Sequence, residues 1–304
     1  MLQQVTIGLD KSTQAWTTYT HTCSGQENLL DRRERIMLIM NNSGKSRMEL
    51  NAVYNSASIM DVTPFLQPIV NVLDGTLAGV EILCRVETNK GYILNQFQIE
   101  ELEAPDRADF YARQLLLKTV EQLSRYNAIG IIPPGFIFTL NITASQIMSE
   151  AMKKEIIRFK NCFPSNVEVL LEIAERNVMD LTEGVSESIA FYDSIGVKIA
   201  IDDAGINSAA IRYFGITNVA MLKLDRSVTR IAEKYELIHK KLVNSIVSLS
   251  NFCDVKVIAE GIENSNQQYA LEECGISLMQ GFYFSKPVPV KEFCIFLNEF
   301  GDQG

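Results

Sequence analysis

From residue 65 onward the chain alternates between short runs of Val, Ile, Leu and Phe and longer stretches in which apolar residues recur every three or four positions. Eight runs read as strands, at 65–72, 79–86, 136–142, 167–173, 197–202, 219–225, 255–260 and 277–281. Most are apolar throughout, the pattern of strands covered on both faces in a parallel sheet. The stretches between them predict helices. One spans 109–126, with Leu116, Val120 and Leu123 on one stripe, and another spans 145–159, with Met148, Met152 and Ile156 at spacing four. Eight strands alternating with helices predict an α/β fold, a TIM-like (β/α)8 barrel. One connection departs from that scheme. The first two strands are joined only by a short connection through Leu73-Asp74-Gly75-Thr76, and Asp-Gly between apolar runs signals a hairpin, so the first strand is expected to run antiparallel.

Residues 1–62 follow a different pattern: they are polar, rich in Ser, Thr and Asn, and hold one compact segment, LLDRRERIMLIM, followed by NNSGKSRMEL. The expected organisation is an N-terminal extension over 1–62 and a barrel domain over 63–304. No apolar run reaches the roughly 18 residues a membrane span requires, and the first twenty residues lack a signal pattern. A cytoplasmic protein with no membrane association is the expectation.

Composition narrows the chemistry. A formal charge of −9 argues against general nucleic-acid binding, which needs excess Lys and Arg, and suits a small anionic ligand held through cations. The six cysteines are dispersed with no CxxC pair, so reduced thiols are expected. The two histidines, His21 and His239, sit at no strand end, which argues against histidine-based acid/base and nucleophilic schemes. Carboxylates, amides, lysine or metal ions are left to do the work.

Such groups stand at the strand ends: Asn141 on the third strand, Glu172 on the fourth, Asp202 and Asp203 on the fifth, Lys223 and Asp225 on the sixth, Glu260 on the seventh and Gln280 on the eighth. Barrel active sites lie at the carboxyl ends of the strands, so these side chains are expected to share one mouth. On the second strand Glu81 and Arg85 are four apart and fall on one face. Singly, each has a plainer reading, as a helix cap, a solvated loop residue, or a Lys223–Asp225 ion pair. Together, several carboxylates in one pocket call for a cation, and an all-oxygen donor set suits Mg²⁺ or Mn²⁺. Two such ions would hold a phosphodiester for in-line displacement.

The segments FLQPIV, GVEILCR, FTLNIT, LLEIAER, IAIDDAG, LKLDRS, VIAEGIE and QGFYFSKPVP, in that order from about Phe65 to Pro289, resemble the EAL-domain family of cyclic di-GMP phosphodiesterases. The resemblance implies that Glu81, Asn141, Glu172, Asp202, Asp203 and Glu260 are metal ligands, with Asp202 bridging two ions. It implies that Lys223, Glu260 and Glu81 carry catalysis, Lys223 by contacting the attacking water or the phosphate. Gln67, Arg85, Asp225 and Gln280 would bind substrate, and Glu175 would anchor the loop after the fifth strand. The implied reaction opens cyclic di-GMP to linear pGpG, with a homodimer through the barrel as the implied assembly.

The chain departs from the family pattern after the Asp pair. The family reads F-G-T-G-Y-S-S-L there, and this chain reads Ala204-Gly205-Ile206-Asn207-Ser208-Ala209-Ala210-Ile211. Slower turnover is therefore expected, and the competing reading is a catalytically weak cyclic di-GMP receptor that works through a protein partner or DNA. The N-terminal LLDRRERIMLIMNNSGKSRMEL weakly resembles the opening of a LuxR-type helix-turn-helix. Six Lys and Arg against six Asp and Glu within 1–62 form no basic stripe, so DNA binding is not expected.

Overall fold

The computed structural model describes residues 3–10, 15–22, 61–87, 93–95, 105–126, 128–174, 183–204, 218–230 and 236–301. Strands β1 (Gln3–Asp10) and β2 (Ala15–Thr22) form an antiparallel pair of their own, with Val5 opposite Thr20 and Leu9 opposite Trp16. This hairpin was not expected, because the threonines of β2 hide the alternation that Val5, Ile7 and Leu9 show in β1. The segment resembling a helix-turn-helix lies outside the described residues.

The main sheet contains β3 (Val62–Asn71), β4 (Thr76–Glu87), β5 (Ile93–Asn95), β6 (Ile137–Asn141), β7 (Glu168–Ala174), β8 (Val197–Ala204), β9 (Val219–Leu224), β10 (Lys256–Ala259), β11 (Leu278–Met279) and β12 (Val288–Pro289). Neighbours run β3, β11, β10, β9, β8, β7, β6, β4 and back to β3, so these eight strands close a barrel, and β5 and β12 add to the outer parts of β4 and β3. All eight expected strands are present. β3 runs antiparallel to both of its ring neighbours, β4 and β11, as the short connection requires.

That connection is held by local hydrogen bonds. The Gly75 N–H donates to the Asn71 carbonyl at 2.9 Å with Gly75 at φ +73°, and Asp74 Oδ1 accepts from the Thr76 N–H at 2.9 Å. Gly supplies the left-handed backbone and Asp mimics the next turn, so Asp-Gly closes the hairpin.

The helices are α1 (Pro105–Arg125), α2 (Ala144–Met148), α3 (Glu150–Asn161), α4 (Glu183–Ser194), α5 (Arg226–Thr229), α6 (Glu236–Phe252), α7 (Ser265–Glu272) and α8 (Val290–Gly301). None of the described helices is long and apolar enough to cross a membrane. The single helix expected over 145–159 is two helices, because Ser149 takes extended backbone (φ −71°, ψ 121°) and caps α3 by accepting from the Met152 N–H. A serine in this role competes with helix continuation. The break ends the apolar stripe: Met152 and Ile156 are buried and Met148 is exposed.

Two apolar layers hold the barrel. Inside, Ile69, Ile137, Leu170, Ala200, Met221 and Ile258, each from a different strand, pack into one floor. Outside, the opposite faces of the strands meet the helices. There Phe138 of β6 lies 4.7 Å from Phe163 and 5.5 Å from Phe159 between ring centroids.

Candidate functional site

Side chains alternate along a strand, so the inward position after each floor residue lies two residues on. Those positions carry the polar groups: Thr139 follows Ile137, Glu172 follows Leu170, Asp202 follows Ala200, Lys223 follows Met221, Glu260 follows Ile258 and Gln280 follows Leu278. On antiparallel β3 the order reverses, and Gln67 precedes Ile69 and pairs in register with Glu81 of β4. The apolar floor thus sits beneath a polar layer at the carboxyl ends of the parallel strands.

Lys223 is the centre of that layer. Its Nζ lies 2.6 Å from Glu260 Oε1, 2.8 Å from Glu172 Oε1, 3.2 Å from Asp202 Oδ1 and 3.4 Å from Glu81 Oε2. Glu81 is held from three sides, since Gln280 Nε2 donates to Oε2 at 2.8 Å and Asn141 Nδ2 donates to Oε1 at 3.0 Å.

Two consecutive aspartates of a regular strand would point to opposite faces. Here Ile201 pairs with Leu222 and Ala204 with Leu224, so β8 carries one extra residue, and Asp203 takes a left-handed φ of +57°. This β-bulge re-aims the chain. One carboxylate oxygen each from Asp202, Asp203 and Glu260 then lie within 4.8 Å of one another. The bulge escapes a reading by period two, because neither aspartate is glycine and nothing apolar marks the extra residue.

Burial bears on two carboxyls of this cluster, Glu172 and Glu260. Burial raises the Glu172 carboxyl well above its usual range, and the charges of Glu81, Asp202 and Glu260 add to the rise against the pull of Lys223. Glu260 is pushed up to about 8, mainly by burial. Burial works against the charged form of Lys223, but the attraction of Glu172, Glu260, Glu81 and Asp202 outweighs it and holds the ammonium well above the ordinary lysine value. Among the described residues, both oxygens of Glu172 and Oδ1 of Asp202 are buried without a hydrogen-bond donor, although Lys223 Nζ stands near them as an ion-pair partner. Buried carboxylate oxygens lacking donors, in an all-oxygen set with a compact group of three acids, fit hard divalent cations.

The other expected residues fall around this core. Gln67 Nε2 donates to the Ser285 carbonyl at 3.3 Å. Arg85 donates from Nη1 to the Cys84 carbonyl at 2.8 Å and lies 5.7 Å from the centroid of the Phe65 ring, and burial lowers the pKa of its guanidinium. Ile82 turns outward into the core behind the wall. Asp225 accepts from the Ser227 N–H at 2.7 Å and caps α5, so the helix-cap reading describes its position. Partial burial opposes its charge, but its hydrogen bonds with Ser227 and Arg226 prevail and hold its carboxyl below the ordinary range. Glu175 and residues 205–217 lie outside the described residues. Thr139 was overlooked: it is fully buried in the polar layer and its hydroxyl has no partner among the described residues. Its signal was its place two residues before Asn141.

Comparison with known proteins gives the same frame. The chain is 29% identical over 232 residues to the probable cyclic di-GMP phosphodiesterase PdeG of Escherichia coli (strain K12), covering 75% of this chain and 45% of that protein. It is 28% identical over 235 residues to the cyclic di-GMP phosphodiesterase PdeL of the same organism, covering 76% of this chain and 63% of that protein. The chain thus spans about half the length of the curated relatives it matches. Among solved structures, the EAL enzyme Bd1971 in its cAMP- and cyclic-di-GMP-bound form superimposes with a TM-score of 0.66 at 23% identity, covering 90% of this chain and 76% of that one. Residues 51–287 match the EAL domain model, and the chain belongs to the EAL domain family.

Proposed function

We propose that this chain is a divalent-metal-dependent phosphodiesterase that opens cyclic di-GMP to linear pGpG. The observation that carries the reading is the ring of Glu81, Glu172, Asp202 and Glu260 around Lys223, with Asp203 folded into the same mouth by the bulge. So much buried negative charge around one ammonium suits a site completed by cations. The names of the relatives PdeG and PdeL supply the substrate class.

Glu81, Asn141, Glu172, Asp202, Asp203 and Glu260 would hold two Mg²⁺ or Mn²⁺ ions. Bound there, such ions supply positive charge opposite the phosphodiester and acidify water at neutral pH. Lys223, within 3.4 Å of four of these carboxylates, would present its ammonium to the attacking oxygen or the phosphate. Gln280 and Asn141 orient Glu81 through its two oxygens, so that carboxylate cannot rotate away from the site. Arg85, on the same strand as Glu81, and Gln67, the partner of Glu81 across the β3–β4 pair, would take up substrate. A cytoplasmic place of action accords with the five described cysteines, which are all free thiols.

The test incubates purified protein with cyclic di-GMP and Mg²⁺ or Mn²⁺ and resolves the products by chromatography. Appearance of pGpG is expected. Binding of cyclic di-GMP with no product in either metal would replace the enzyme by a receptor, the reading favoured by the altered run from Ala204 to Ile211.

A further inference from the structure

The carbonyl of Glu260 lies just beyond the end of β10, where the strand ladder no longer supplies a partner. Its N–H still donates to the Leu224 carbonyl of β9 at 3.1 Å. The carbonyl accepts from the Thr229 hydroxyl, with Oγ1 at 2.6 Å and the Thr229 side chain closed to solvent. Thr229 is the last residue of α5, the short helix that follows β9 and its Lys223. Further contacts join the same two segments. Gly261 turns at φ +65° with the Arg226 stem so close that a Cβ would meet Arg226 Cγ at 2.8 Å, and the guanidinium of Arg226 pairs with Glu263. Arg230 Nη2 reaches Glu263 Oε2 at 3.4 Å. Among these side-chain contacts that of Thr229 alone reaches Glu260, and the Thr229 side chain is closed to solvent, where Arg226, Arg230 and Glu263 are exposed.

We infer that Thr229 is a positioning residue: its hydroxyl fixes the backbone of Glu260 so that the Glu260 carboxylate meets Lys223, Asp202 and Asp203 at the barrel mouth. The inference rests on the phosphodiesterase reading for its consequence in turnover, and on geometry alone for the placement. A neutral hydroxyl is suited to the task. It donates to the carbonyl without adding charge to a mouth already crowded with carboxylates, and at 2.6 Å that carbonyl is a nearer acceptor than the Arg226 carbonyl, 3.4 Å from the same oxygen. The Glu260 carbonyl is its partner at one end of a rigid connection whose other end is the helix cap made by Asp225. Loss of the hydroxyl takes this donor from the part-buried Glu260 carbonyl and loosens the turn at Gly261.

The test compares Thr229→Val, which keeps the shape and removes the donor, with Thr229→Ser, which keeps the donor. Mn²⁺ affinity is measured by titration calorimetry, turnover with cyclic di-GMP, and amide exchange at Ile262, whose N–H donates to the Gln280 carbonyl at 3.1 Å. The valine variant is expected to bind Mn²⁺ about tenfold more weakly, to lose about tenfold in kcat with little change in KM, and to exchange faster at Ile262. The serine variant is expected to stay within about twofold of wild type on each measure. Should the valine variant not fold, Thr229→Ala against Thr229→Ser poses the same contrast. Equal Mn²⁺ affinity with and without the hydroxyl overturns the inference, as does equal impairment of the serine and valine variants. A wild-type chain that binds Mn²⁺ and leaves cyclic di-GMP intact removes the phosphodiesterase reading, while the Mn²⁺ affinities still decide the role of Thr229. A wild-type chain that binds no Mn²⁺ overturns both.

Discussion

Lys223 Nζ meets Glu172 Oε1 at 2.8 Å inside the barrel, with the two side chains 1% and 0% exposed. An ammonium this deep persists only beside negative charge, and three more carboxylates stand within 3.4 Å of it. Lys223→Met leaves those acids without a counter-charge. Part of the cost is relieved by proton uptake, so metal-free protein is expected to lose about 3 kcal/mol in urea unfolding, together with its turnover. An unchanged unfolding midpoint in chelator would show that the cluster is already neutral without the lysine.

The raised carboxyls set the pH dependence of the metal-free protein. Glu172 and Glu260 hold protons in the fold at pH values where the unfolded chain has released them, and for Glu260 the folded value is about 8. Their contribution to stability is therefore complete below the ordinary glutamate range and is lost as pH rises through that folded value. In chelator, the Tm is expected to fall between pH 5 and pH 8. With Mg²⁺ or Mn²⁺ present the trend reverses, because cations bind the ionised carboxylates and stabilise more strongly as protons leave. Thermal melts across that range with and without metal read both signs. Parallel curves would mean that no metal binds at this cluster.

The barrel is legible in the sequence because its strands are wall-to-wall apolar runs, and the polar residues that interrupt them can only lie at strand ends. Glu172 after Val-Leu-Leu and Lys223 after Met-Leu stand out for that reason. What could not be read depends on backbone conformation or on partners far along the chain. The bulge at Asp202-Asp203 needs a left-handed aspartate, which carries no residue-type signal as glycine would. The two-residue strand Val288–Pro289 is defined only by its antiparallel partners Leu66 and Phe65, more than two hundred residues earlier. The cap at Ser149 interrupts a stripe whose spacing alone argues for one continuous helix. Asp225 stands at the strand end as expected and also caps α5 by accepting from the Ser227 N–H.

Gly281 follows Gln280 at a point where backbones touch. A Cβ there would meet the Ile262 nitrogen and carbonyl oxygen at 2.2 Å, and neither atom belongs to a flexible side chain that could move aside. Gly281→Ala must therefore push apart the segments that carry Gln280 and Glu260. A loss of about 2 kcal/mol or more is expected in denaturant unfolding, with lower turnover as Gln280 moves off Glu81. A variant with wild-type stability would show that this approach relaxes freely.

Asp203 separates the backbone role of a residue from its charge. Its φ of +57° is a conformation that Asn shares with little strain and that a β-branched residue resists. Asp203→Asn is therefore expected to keep the bulge and the melting temperature, because shape and backbone preference are retained. It removes one of the three carboxylates grouped with Asp202 and Glu260, so Mn²⁺ affinity should weaken and turnover should fall roughly a hundredfold, several kcal/mol of rate resting on metal position. Asp203→Val removes the carboxylate and also opposes the backbone, which costs about 1–2 kcal/mol of stability beyond the loss of activity. Calorimetric melts of the two variants beside their Mn²⁺ titrations make the comparison. If Asn and Val destabilise equally, the left-handed backbone carries no strain at this position. If Asn retains full turnover, Asp203 stands outside the metal-binding group and its carboxylate only lines the mouth.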